Sequence, residues 1–320
     1  MNAGILMIDD ISILPLSALQ DIIGPHCNPF LTIAIAGRPD TGRPQFMMTA
    51  ISNGAPHERV ISTVGYLRHL YDASPKDSVN LSNDARIIFQ AEDVPVNIPS
   101  ASWETMNAWN EVALVPDIYY FQAMGYEDWI PESIGWNDRV SKIFWRGSST
   151  GLFQQRLEDL DSLPRYRLCQ IVSRLGAIAD VGLNAVVQAG DPHQERLIKE
   201  RLLQEGLLKS FIPMTEMTRY RYILDIDGNS NSWNFMMKLR LGSCVLRVDS
   251  DWHQWFASRL APWVHYVPIA KDLSDAAEKI AWCLDNESEC AAIAEHGLAF
   301  ARSMRFKDEM TAAATNVYSM

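Results

Sequence analysis

The sequence has no Cys-x-x-Cys pair, and its five cysteines, Cys27, Cys169, Cys244, Cys283 and Cys290, are odd in number and scattered. That pattern suggests neither a disulfide framework nor a zinc site, and it fits a reducing, cytoplasmic setting. No apolar run approaches the roughly 18 to 20 residues that cross a bilayer; Phe30 to Ala36 stops at Gly37-Arg38. Met1 to Leu16 has no Lys or Arg and carries Asp9-Asp10, so a secretory leader is not expected. Neither a Gly-x-Gly-x-x-Gly nor a Walker spacing occurs, and the seven histidines show no metal-binding spacing. No internal repeat or low-complexity tract is present.

Basic residues are also scarce, 28 Lys and Arg against 39 Asp and Glu, and the net charge of −11 argues against a general nucleic-acid binder. The average hides an asymmetry. Residues 139–222 hold 13 basic and 9 acidic side chains, so the middle of the chain is where a small anion is electrostatically favoured. With 320 residues and 48% hydrophobic content, the chain is long enough for about two cored domains.

Short β-rich runs, Phe30–Ala36 and Arg86–Gln90, flank a helical pattern over Glu58–Tyr71, with turns predicted at Gly37–Asp40 and Ser52–Pro56. Pro95 to Trp136 is rich in Pro and Trp without a period and reads as long loops. A strand is then predicted at Lys142–Trp145, helical material to Arg174, a helix over Gln194–Lys209, and a strand over Tyr220–Ile226. The polar loop Asp227–Ser232, a short helix over Trp233–Leu241, Gly242 as its stop and a strand over Cys244–Val248 complete a βαβ unit. Further helices are expected up to Leu284 and over Ser288–Met304. Two such αβ units suggest an α/β chain of two Rossmann-like domains facing across a cleft, with ligands at the carboxyl ends of parallel strands.

Several groups of residues could carry chemistry. Arg146-Gly147-Ser148 follows an apolar strand and combines a guanidinium, a close-approach glycine and a hydroxyl, which suits a diphosphate, although the tripeptide alone reads more simply as a tight turn with a surface Arg. Gly228, Asn229, Ser230, Asn231 and Ser232 between a strand and a helix offer backbone N–H groups to an anion, or simply cap the helix. Asp225-x-Asp227 has the spacing of a metal-holding carboxylate pair, although Asp225 falls within the strand. Alternation over Pro262–Pro268 would put Trp263, His265 and Val267 on one face, where His265 is either a bonded structural residue or an acid–base group. Glu92 and Asp93, at the end of a strand, could supply a general base or merely shape the turn before Pro95.

Together, Phe144–Ser148, Tyr220–Leu224 leading to Gly228–Trp233, Gly242–Leu246, Trp252–Phe256 and Leu260–Pro268 resemble glycosyltransferase family 90, the lipopolysaccharide-modifying and protein O-glucosyltransferases. The resemblance covers roughly 86 to 300. It implies a GT-B-like fold with an N-terminal acceptor-side domain, 1–138, a C-terminal nucleotide-sugar domain, 139–304, and a tail, 305–320, packing back on the N-terminal domain. It further implies transfer of a hexose or pentose from a UDP-sugar to a glycan acceptor, lipopolysaccharide or capsule, by an inverting mechanism that needs no metal or other cofactor.

In that reading Asp93 is the base, with Glu92 standing where relatives have a basic residue; Glu92, Asp117 and His265 are secondary candidates. Arg146, Gly147, Ser148, Arg221 and Gly228 to Ser232 bind the donor. Asn234 stands where relatives carry an Arg. A cytoplasmic location with peripheral contact at the inner face of a membrane is the accompanying expectation. Two other readings stay open: a non-catalytic sugar-nucleotide or glycan-binding module, and a sugar-nucleotide hydrolase. An epimerase would need a nicotinamide fingerprint that the sequence lacks.

Overall fold

The computed structural model describes residues 6–318 apart from 9, 39, 40, 42, 53, 75–80 and 82–85. Parts of both predicted N-terminal turns, at Pro39-Asp40 and Asn53, lie outside the described residues. In chain order, β1 (Leu6–Ile8), β2 (Ile11–Leu14), α1 (Leu16–Ile23), β3 (Thr32–Gly37), β4 (Pro44–Thr49), α2 (Glu58–Ala73) and β5 (Ile87–Gln90) come first. The short elements β6 (Ser100–Ser102), β7 (Glu104–Met106), β8 (Val112–Leu114) and α3 (Ile118–Gln122) follow. Next are β9 (Val140–Ser148), α4 (Pro164–Ser173), β10 (Ala179–Ala185), α5 (Pro192–Gln204), β11 (Tyr220–Asp225), α6 (Phe235–Arg240) and β12 (Cys244–Val248). The chain ends with β13 (Trp252–Gln254), β14 (Val267–Ile269), α7 (Ala276–Asp285), α8 (Glu287–Ser303) and α9 (Phe306–Tyr318). None of the described helices is long and apolar enough to cross a membrane.

The chain divides into two compact units. The first comprises 1–126, 252–257 and 305–320; the second comprises 127–251 and 258–304. The division falls at Tyr126/Glu127, not at 138/139, and residues 252–257 belong to the first unit. In place of the structureless segment expected over Pro95–Trp136, the first unit forms three strands and a helix there. Strands of three residues are too short to display a period.

In the first unit a mixed seven-stranded sheet runs β1-β2-β4-β3-β5-β6-β8, and β13 pairs antiparallel with β7. Helix α2 is amphipathic: Val60, Val64, Leu67 and Leu70 are buried at helical spacing, and His57 Nδ1 caps its start by accepting from Arg59 N. Helix α9 packs on it through Tyr318, whose hydroxyl donates to Leu67 O at 2.8 Å and whose ring meets Tyr71 edge-on. Tyr66, Phe89 and Trp103 form an aromatic core in edge-on and tilted contacts.

The second unit is Rossmann-like, as its strand-and-helix pattern predicts. Its five strands are all parallel, in the order β10-β9-β11-β12-β14. Ile143, Tyr222, Leu224, Val245 and Leu246 are fully or almost fully buried, as continuous apolar runs must be when both faces of a parallel sheet are covered. Pro164 opens α4, where its missing N–H costs nothing. Gly242 ends α6 at φ +68°, a conformation that any residue with a Cβ adopts only under strain. The first strand, β9, is followed in the chain by a neighbour on one side, β10, and then by one on the other, β11. That reversal makes the carboxyl ends of β9 and β11 a topological switch point, the crevice where open αβ sheets bind ligands.

Candidate functional site

At the switch point the loop after β9, Ser149–Gly151, meets the loop after β11, Ile226–Asn234. Gly151 N donates to Asn229 Oδ1 at 3.0 Å, and Gly228 N donates to Ser230 O at 3.0 Å. Arg165, in the first turn of α4, binds both loops with one guanidinium. Its Nε donates to Asp227 O at 2.7 Å, Nη1 to Ser148 O at 3.1 Å and Nη2 to Ile226 O at 3.4 Å. Burial lowers the Arg165 pKa to about 10 against the opposing pull of Asp225 and Asp227, so it stays cationic at neutral pH. A Cβ at Gly228 would lie 2.6 Å from Thr150 Oγ1 and 2.9 Å from Arg165 Nη2, so any larger residue there would displace those two side chains.

Beneath the loop, Asp225 is fully buried and its Oδ1 accepts from Lys238 Nζ at 2.7 Å and from Ser232 Oγ at 2.6 Å. Arg247 Nε lies 3.9 Å from Asp225 Oδ2, with its guanidinium carbon 4.1 Å from the centre of the Phe235 ring. Burial lowers the Lys238 pKa, and Asp225 opposes that shift. Asp227 accepts from Ser250 Oγ; its pKa is raised to about 6 by burial, with the Asp225 charge adding to the rise. Three cations, Arg165, Lys238 and Arg247, therefore surround two carboxylates at the base of an amide-rich loop. Ser230 Oγ is buried and has no hydrogen-bond partner among the described residues. A buried hydroxyl is normally paired, so this one is chemically suited to a ligand oxygen.

Of the residues expected to bind a donor, the structure brings together Ser148 and Gly228 to Ser232. Gly147 precedes them in β9. Arg146 does not join them: its guanidinium folds back over the Phe144 ring, donates to Trp145 O and Asp180 O at 2.9 and 2.8 Å, and is ion-paired to Asp180. Burial alone would raise the Asp180 pKa; hydrogen bonds from Arg146 and Tyr220 hold it below the ordinary carboxylate value. With 6% of its side chain exposed, Arg146 ties β9 to β10. Arg221 is a second correction. It lies at the amino end of β11, away from the loops, where it donates to Trp136 O at 3.1 Å and to Glu287 Oε1 at 2.6 Å.

In the first unit, Asp93 accepts from Arg59 Nη1 at 2.7 Å and is about a third exposed, and the Arg59 guanidinium carbon lies 5.1 Å from the centre of the Trp103 ring. Glu92 is more enclosed, and burial raises its pKa. Asp117 is a structural cap: Oδ1 accepts from Tyr120 N at 2.8 Å and Oδ2 from Gln254 Nε2 at 3.0 Å, with burial raising its pKa to about 7. Pro262–Tyr266 is a turn and not an alternating strand. Trp263 has φ +64°, and His265 Nδ1 accepts from Ala261 N at 2.9 Å. Burial lowers the His265 pKa, and the ring braces the turn.

The Glycosyl transferase family 90 model matches residues 91–312. Protein O-glucosyltransferase 2 of Danio rerio is 30% identical over 175 residues, 55% of this chain and 31% of its own length. Uncharacterized protein 179R of Invertebrate iridescent virus 6 is 30% identical over 182 residues, 52% of this chain and 15% of its own length. The chain thus spans less than a third of the length of these relatives. Among solved structures, Anabaena HepE in complex with UDP-glucose matches at a TM-score of 0.39 and 12% identity, over 54% of this chain and 47% of that one. Since the family match spans most of the sequence and contains the whole switch-point site, the chain belongs to glycosyl transferase family 90.

Proposed function

We propose that the chain transfers a hexose or pentose from a UDP-sugar to a hydroxyl of a glycan, lipopolysaccharide or capsule, with inversion and without a metal. The observation that carries the reading is the loop Asp227–Ser232, fixed from the side by Arg165 and from below by the Asp225–Lys238 pair. Amides that are already oriented can stabilise the charge that grows on a departing diphosphate without reorganising. In the reaction the acceptor oxygen loses its proton to a base, attacks the anomeric carbon and breaks the bond to the UDP oxygen. Asp93 is our choice of base, being ionisable, partly exposed and oriented by Arg59. A GT-B arrangement of the two units accompanies this reading. In place of Arg146 and Arg221, Arg165 serves the donor indirectly, by holding the two loops through Ser148 O, Ile226 O and Asp227 O.

A second reading, transfer to a protein hydroxyl, is favoured by the names of the curated relatives. Incubating the purified chain with labelled UDP-sugars, with and without glycan and peptide acceptors, tests both. Acceptor-dependent UDP release supports transfer, and the productive acceptor chooses between the readings. Release without any acceptor indicates a hydrolase. No release with any UDP-sugar overturns the proposal and leaves a binding module.

A further inference from the structure

At the amino end of the second unit's sheet, remote along the strands from the loops, three cysteines converge from three elements. Cys244 opens β12, Cys283 lies in the last turn of α7 and Cys290 in the first turn of α8. All three are wholly buried, and their Sγ atoms lie within 4.8 Å of one another. Cys290 Sγ is also 3.6 Å from Cys283 O. Sulfurs bonded at about 2.3 Å to one zinc ion are about 3.8 to 4.0 Å apart, so the trio is near the edge length of a thiolate site as it stands. The surroundings are largely apolar, including Ile280, Ile293 and Ala294. The oxygens beside the sulfurs, Cys283 O and the Tyr222 hydroxyl that donates to it at 3.0 Å, are already bonded to each other, so three sulfurs favour a soft cation over an oxygen-seeking one such as magnesium.

We propose that Cys244, Cys283 and Cys290 form a three-thiolate site for a thiophilic d10 cation such as zinc, fastening β12 to α7 and α8. On binding, each S–H bond is replaced by an S–metal bond and its proton goes to solvent, with no change in oxidation state. The role is structural and independent of sugar transfer. The competing explanation, three small apolar side chains filling a core, predicts no metal affinity.

The test uses the full chain, reduced with a phosphine and refolded from denaturant with cadmium as the probe. One tightly held cadmium per chain is expected, with thiolate-to-cadmium charge-transfer absorption and a raised midpoint of thermal unfolding. The Cys27→Ala/Cys169→Ala double variant should bind as the wild type does, and Cys290→Ala should bind at least tenfold more weakly. X-ray absorption on cadmium-loaded wild type is independent of any variant's folding and should show a shell of three sulfurs. Absence of the charge-transfer band in folded wild type, a shell dominated by oxygen or nitrogen, or unchanged affinity in folded Cys290→Ala would each overturn the proposal.

Discussion

Lys238 buries its ammonium against the carboxylate of Asp225, 2.7 Å away, directly under the loop that ends in Ser232. Both side chains are at most 5% exposed. Removing one member of an isolated buried pair costs about 3 to 5 kcal/mol and removing both far less; Arg247 Nε, 3.9 Å from Asp225 Oδ2, offsets part of that cost here. Lys238→Met should therefore lower the chain's stability to denaturant sharply, and Lys238→Met with Asp225→Asn should recover most of the loss. If the single variant is as stable as the wild type, the pair does not support the loop.

Arg165 and Arg146 should separate in a titration with UDP. Contacts of a cation to a charged or polar acceptor contribute about 1.5 to 3 kcal/mol. Arg165→Ala should thus weaken UDP binding roughly 10- to 100-fold, because it releases both loops. Arg146→Ala should chiefly lower stability, because Asp180 loses its partner, and should leave UDP affinity nearly unchanged. The reverse ranking would return Arg146 to the donor site.

What was legible in the sequence and what was not follow from the range of each interaction. The loop Asp227–Ser232, the glycine stop at Gly242 and the strand Cys244–Val248 are local features, and small polar residues between two apolar runs announce them. Arg165 is illegible because it reaches carbonyls 61 and 62 residues away, a relationship that only the packed sheet creates. Arg146 misleads for a related reason: alternation gives the face from which a side chain leaves a strand, not where a long guanidinium comes to rest. The three clustered cysteines have no metal-ligand spacing, since α7 and α8 bring them to β12 only in the folded unit.

Asp117 gives a pH dependence in the first unit. Its folded pKa, about 7, lies above the ordinary value near 4, so the folded state holds a proton that the unfolded state has lost between those values. Stability should then fall as pH rises from about 4 to 7, at up to about 1.4 kcal/mol per pH unit from this group. Asp117→Asn keeps the acceptor for Tyr120 N and should flatten that slope. Denaturant unfolding at pH 5 and pH 8 measures it, and parallel profiles for the two proteins would refute the assignment.

Transfer should survive chelation. Asp225 Oδ1 is already bonded to Lys238, Arg247 lies 3.9 Å from its Oδ2, and Asp227 accepts from Ser250, so the cations beside the pair already balance its charge and disfavour a further hard cation. Turnover in EDTA should match turnover in magnesium. Loss in EDTA with recovery on adding magnesium or manganese would make the two carboxylates metal ligands.

The account as a whole depends on a base acting on an acceptor hydroxyl, and Asp93→Asn tests it most directly, since it keeps the shape of the side chain and removes its capacity to take a proton. The quantity to measure is the initial rate of sugar transfer at saturating donor and acceptor. General-base catalysis typically contributes about 100- to 10,000-fold. The account predicts a loss in that range, with UDP affinity unchanged and the fold intact. A near-wild-type rate would contradict it and leave Asp93 as the ion-pair partner of Arg59 alone.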